Sequence, residues 1–174
     1  MYSSLSLGCY TGCYDILSLL DNFIAMKKEE LMHLFSGIED KIPFHKALGL
    51  KVDQMEKGKV RFYLSFKEEF IGNYLQRFYH GGVLSAAMDG AAGAAAGSYL
   101  FPSKSMGTLS TMDIRIDYMK PVKDQDIHVH AEVTSAGKRS IFVRMYVTYV
   151  NDTKVLVEGR AVMNVRQSDP NPIN

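Results

Sequence analysis

His80-Gly81-Gly82 opens a stretch of small residues that contains a single carboxylate, Asp89. From Ala86 the stretch runs Ala-Ala-Met-Asp-Gly-Ala-Ala-Gly-Ala-Ala-Ala-Gly to Gly97, and it reads as a helix from roughly Gly82 to Leu100. Unpaired amides at a helix N-terminus carry partial positive charge and can receive an anion or a polarised carbonyl. Glycines such as Gly81 and Gly82 let a substrate approach that backbone with no Cβ in the way. Taken alone, these residues also describe an ordinary helix start with His80 beside the cap. Asp89 shifts the balance, because a helix this small and apolar is expected to be largely buried. A buried carboxylate is costly unless paired, and such groups concentrate at functional sites.

Spacing then constrains how the two features cooperate. Gly81, Ser85 and Asp89 recur every four residues and share one helix face. Gly81 and Asp89 are nevertheless about 12 Å apart along the axis at 1.5 Å per residue, too far to act on one carbonyl. A second copy of the helix, antiparallel about a two-fold axis near Ser85, would set each Gly81 against the partner's Asp89. Two-fold dimers are the commonest oligomers, and the small residues of this face permit close approach. The sequence therefore points to two sites shared between two subunits.

The elements around the helix follow from periodicity. Leu31, Leu34 and Phe35 give residues 27–36 a helical stripe, and Pro43 to Leu48 allow a further short turn before Gly49. From Leu50 the period is two, with Val60, Phe62, Leu64 and Phe66 on one side. Lys67 to Tyr79 reads as irregular. After Pro102 the chain is strand: Ile114, Ile116 and Tyr118; Ile127, Val129, Ala131 and Val133; Val143, Met145, Val147 and Tyr149; and Val155 through Val165. Short turns at 135–138 and 151–153 make the last strands antiparallel neighbours. The several glycines of the long helix each cost about 1 kcal/mol relative to alanine and need a packing reason. The fold class expected is α+β, a curved antiparallel sheet around a central helix.

Bulk properties exclude other classes. At 174 residues the chain accommodates one domain with a sizeable core. A formal net charge of +1, with both signs mixed along the sequence, argues against a nucleic-acid binder. The long helix is a poor membrane span: Asp89 near its middle costs about 2.5–3.5 kcal/mol on insertion scales, and Ala and Gly are weakly hydrophobic. Cys9 and Cys13 lack the spacing and second ligand pair of a zinc or redox motif, so a reducing, cytosolic setting is expected. Residues 1–25 lack the basic start of a signal peptide, and Met26-Lys-Lys-Glu-Glu-Leu reads like a natural chain start. The expected layout is an extension over 1–25, one domain over 26–166 and a tail over 167–174.

The His-Gly-Gly opening, the acid nine residues after His80, and the strand Asp113-Ile-Arg-Ile-Asp-Tyr-Met-Lys-Pro121 together resemble the hotdog-fold acyl-CoA thioesterases, of the phenylacetate-degradation (PaaI) type. The likeness runs from about Phe44 to Val165. It implies that Asp89 acts as general base or nucleophile on a thioester. It further implies that the Gly81 amide polarises the carbonyl in an oxyanion hole. His80 would line that loop, and Thr111 would help place the attacking water. The family often has an asparagine six residues before the histidine. That position is Tyr74 here; Asn73, one residue away, is the preferred substitute and Gln76 the second. The resemblance implies acyl-CoA as substrate, no metal or redox cofactor, and a homo-oligomer, a dimer or a dimer of dimers.

Other polar residues have plainer readings. His128 and His130 share a strand face and could form a metal pair, but no third ligand is evident in sequence. His33 and His45 show no partners. Lys138 and Arg139, in a turn after Gly137, could meet CoA phosphates, although such turns are more often merely solvated. Two further functions fit the pattern: a hotdog hydratase or dehydratase using His80, and a non-catalytic acyl-CoA binding module.

Overall fold

A computed structural model describes residues 41–101 and 109–166. The expected helix over 27–36, the extension, both cysteines and the tail lie outside the described residues. The short helix α1 spans Pro43–Leu48, with proline in its first turn. It ends on Gly49, whose φ of 77° is left-handed and whose N–H bonds back to the His45 and Lys46 carbonyls. Strands β1 (Leu50–Glu56) and β2 (Lys59–Leu64) follow as a hairpin, turning at Gly58 with φ 78°.

The segment expected to be irregular is more ordered than its sequence suggests. A 3-10 turn at Glu68–Phe70 leads into a small ladder of β3 (Ile71–Asn73) and β4 (Phe78–Tyr79). These strands are too short for an alternating pattern to be legible. The Tyr79 amide donates to the Val122 carbonyl at 2.8 Å, and Arg77 bridges Glu68 and Asp124, so the ladder is tied to the chain beyond it.

Helix α2 spans Gly81–Leu100, and after it come β5 (Leu109–Tyr118), β6 (Ile127–Ala136), β7 (Ser140–Tyr149) and β8 (Val157–Val165). The main sheet is antiparallel, in the order β1-β2-β6-β7-β8-β5. It curves around α2, which touches all six strands. Small residues allow this wrapping: Ala87, Ala91, Ala92, Ala95 and Ala96 are fully buried beneath the sheet. Gly159 shows how close the helix and the sheet come, since a Cβ there would lie 3.0 Å from Met88 Cε. Helix burial is not all-round, however. Ser85, Ala86, Asp89 and Gly93 form a stripe that the sheet leaves half-covered.

Ser98 locks the C-terminal end of α2 to the β1–β2 turn. Its fully buried hydroxyl accepts from the Gly58 amide at 2.9 Å and lies within donating reach of the Ala95 and Glu56 carbonyls. Ser98→Ala is expected to lower unfolding free energy by about 1–3 kcal/mol, because the buried Gly58 amide loses its acceptor. Urea unfolding of both proteins measures this directly.

Candidate active site

The two features singled out in sequence occupy two clefts, one at each end of the half-covered stripe. The first is at the start of α2. His80 is the N-cap, with extended φ −68° and ψ 130°, and its Nδ1 accepts from the Gly82 amide at 2.9 Å. A neutral His80 ring therefore carries its proton on Nε2. The His80 carbonyl takes the Val83 and Leu84 amides at 3.0 and 3.5 Å. Among the described residues no acceptor takes the Gly81 amide, as expected of a first-turn N–H. Gly81, His80, Asn73, Tyr118 and Lys120 line a cleft of about 360 Å³.

Asn73 reaches that cleft from β3. Its Oδ1 accepts from the Leu75 and Gln76 amides, both at 3.1 Å, an Asx turn that shapes the loop. The carbonyl oxygen is thus committed, leaving Nδ2 as the group Asn73 can offer as a donor. Gln76 and Tyr74 are exposed in the same loop and do not line the cleft.

Tyr118 is a resident of this end that sequence reasoning counted only as a strand position. Its hydroxyl donates to the Gly81 carbonyl at 2.9 Å, and its ring atoms lie 3.2–3.4 Å from where a Gly81 Cβ would sit. The ring is thus packed on the peptide whose amide is free. Tyr118→Phe is expected to lower kcat about 3- to 10-fold with little change in KM, the loss of one positioning hydrogen bond. Steady-state kinetics beside a thermal unfolding curve separate this from a simple stability defect.

The second cleft lies two turns further along α2. Thr111 Oγ1 donates to Asp89 Oδ1 at 2.8 Å. A β-bulge brings them together: Thr111 pairs with Met163 and Asp113 with Val162, so Met112 is the extra residue. Without the bulge, Thr111 and Ile114 would face opposite sides of the sheet; with it, both face the helix. Asp89 is half-buried rather than deeply buried. The expectation of a buried carboxylate took the helix as largely covered, whereas Asp89 belongs to the open stripe. Its cleft, about 210 Å³, is also lined by Phe62, Gly90, Gly93 and Met163, and by His45, which had shown no partner in sequence.

The remaining residues are dispersed. Ser85 is half-buried between the clefts, its hydroxyl bonded back to the Gly82 carbonyl at 3.1 Å. Gly82 is exposed beside His80. Lys138 and Arg139 are exposed in the β6–β7 turn and line neither cleft. His128 and His130 do share a face, but it is the sheet face away from α2. His128 lies 3.8 Å from Asp53, and His130 stacks on Tyr146 with centroids 4.3 Å apart. Burial lowers the His130 pKa to about 4, and the neighbouring His128 and Arg61 charges add to the effect. Among the described residues no three His, Cys, Asp or Glu side chains are grouped to hold a metal, and no helix is long and apolar enough to cross a membrane.

The model of the thioesterase superfamily matches residues 77–156, a span that takes in the His80 cap, all of α2 and strands β5 to β7. Over those residues the chain is similar to the thioesterase superfamily. Among the superfamily's characterised members, the chain is similar to the medium/long-chain acyl-CoA thioesterase YigI of Escherichia coli, 29% identical over 116 residues, covering 60% of this chain and 74% of the relative. The corresponding protein of Salmonella typhimurium is 28% identical over 114 residues, with the same coverage. Among solved structures, a thioesterase-superfamily protein of Shewanella oneidensis superposes with TM-score 0.69 at 26% identity, covering 81% of this chain and 98% of that one. The PaaI protein of E. coli superposes with TM-score 0.68 at 19% identity, covering 83% and 96%. The curved sheet around one long helix is accordingly the hotdog fold.

Proposed function

We propose that this protein hydrolyses acyl-CoA thioesters at two sites shared across a homodimer. One observation carries the reading: a free helix-N-terminal amide and a carboxylate–hydroxyl pair occupy separate clefts along one open stripe of α2. Asp89 activates water, or attacks the thioester itself, with Thr111 fixing the carboxylate or the water. The Gly81 amide of the other subunit takes up negative charge as it develops on the carbonyl oxygen. Asn73 and His80 line the entry to that amide. Water's oxygen ends in the free acid, and CoA leaves as the thiol.

Support for the dimer comes from β5, an edge strand of the main sheet with no neighbour on its outer side among the described residues. Met112 on that strand is 64% exposed, and Ile114 is exposed as well. A long edge strand with exposed apolar side chains is an adhesive surface, which a second β5 would cover. Such pairing would also bring the open stripes of two α2 helices side by side. Lys138 and Arg139 retain a role only as distant contacts to CoA phosphates. The named activity of the YigI relatives agrees with acyl-CoA as substrate and with medium or long acyl chains. The test is thiol release from short-, long- and aromatic-acyl CoA esters beside Asp89→Ala. Tight binding of the esters without release would instead identify a binding module, and hydration of an enoyl-CoA without release a hydratase.

A further inference from the structure

We infer that His45 is the wall of the acyl pocket that selects acyl groups by size; this rests on the function proposed above. Among the described residues, no lysine or arginine lines the Asp89 cleft, so it does not suit the phosphate-bearing arm of CoA. Beyond His45, Asp89, Ser110 and Thr111 its surface is small or apolar, which suits the acyl group.

Most of that surface is fixed. Phe62 is fully buried in the core and Met163 nearly so, and Gly90, Gly93 and Ala94 belong to the central helix. Gly90, Gly93 and Ala94 are spaced three and four apart, so they form one shallow groove with almost no side chain to fill it. What limits the room over that groove is the side chain lying across it. A Cβ on Gly90 would fall 2.7 Å from His45 Nε2 and 3.1 Å from Cε1. The imidazole therefore occupies the volume that a side chain at 90 would take, one residue from Asp89. It is held edge-on to Phe62, with centroids 6.2 Å apart. His45 is carried by α1, a six-residue helix outside the sheet, and is only half-buried. Unlike Phe62, it can change without opening the core.

The experiment compares kcat/KM for butanoyl-, dodecanoyl- and phenylacetyl-CoA in wild type, His45→Ala and His45→Phe. His45→Ala is expected to raise the dodecanoyl-to-butanoyl and phenylacetyl-to-butanoyl ratios about tenfold or more, the discrimination a few methylenes of pocket space supply. His45→Phe keeps a ring in place and should leave both ratios within about threefold of wild type. If His45→Ala does not fold, His45→Val, shorter than imidazole but still packed on Phe62, is expected to move the ratios the same way. Unchanged ratios in the folded small variant overturn the inference and leave the thioesterase reading intact. Wild-type protein that releases no thiol from any ester overturns both.

Discussion

Asp89→Asn is expected to lower thioester turnover by about 10²–10⁴-fold while leaving the fold and the oligomer in place, the loss typical of removing a positioned general base. The substitution is nearly isosteric, and the side-chain carbonyl of asparagine can still accept the Thr111 hydroxyl that now lies 2.8 Å from the carboxylate. What it cannot do is take a proton from water or attack a carbonyl carbon. Because Asp89 is half-buried on an open stripe, removing its charge relieves no core strain, so the change should report on chemistry alone. Thiol release, with size-exclusion chromatography as the structural control, is the measurement. Activity within a few-fold of wild type would take Asp89 out of the mechanism.

The separation of Gly81 from Asp89 is legible in the sequence, because the rise of a helix alone sets it. The later strands are equally legible, because each repeats a period of two, and the helix shows as a long run of small residues opening at His-Gly-Gly. Thr111 is placed through resemblance rather than through periodicity. Parity along β5 puts residue 111 opposite Ile114, and only the bulge at Met112 reverses it. Nothing in the local sequence marks such a bulge. Tyr118 and His45 escape a reading of the sequence for a different reason. Their importance lies in contacts with Gly81 and Gly90, residues 37 and 45 positions away, where the signal is the absence of a side chain. A glycine records that something comes close without recording what. The same blindness explains the reading of Asp89 as buried. Composition shows that α2 is small enough to be surrounded, but not which stripe the sheet leaves open.

Gly81→Pro is expected to lower kcat about 10²–10³-fold, the usual effect of deleting one oxyanion-hole donor. Proline removes the Gly81 N–H and little else. It is favoured at the first position of a helix, where the amide has no intrahelical partner. His80 already has the extended conformation, φ −68° and ψ 130°, that a residue before proline requires. The added ring carbon would meet Tyr118 at about 3.2 Å, a contact that a small shift of an exposed side chain accommodates. This variant also tests whether the site is shared. Alone, Gly81→Pro and Asp89→Asn each damage both sites of a dimer. In a heterodimer of the two, one site combines both defects, while the other joins the intact Asp89 of one chain to the intact Gly81 of its partner. Heterodimers purified through two different tags should therefore recover about half the wild-type rate per dimer, since one of two symmetric sites is whole. A site confined to one chain predicts the reverse: every chain of the heterodimer carries a defect, and the mixture stays as inactive as its parents.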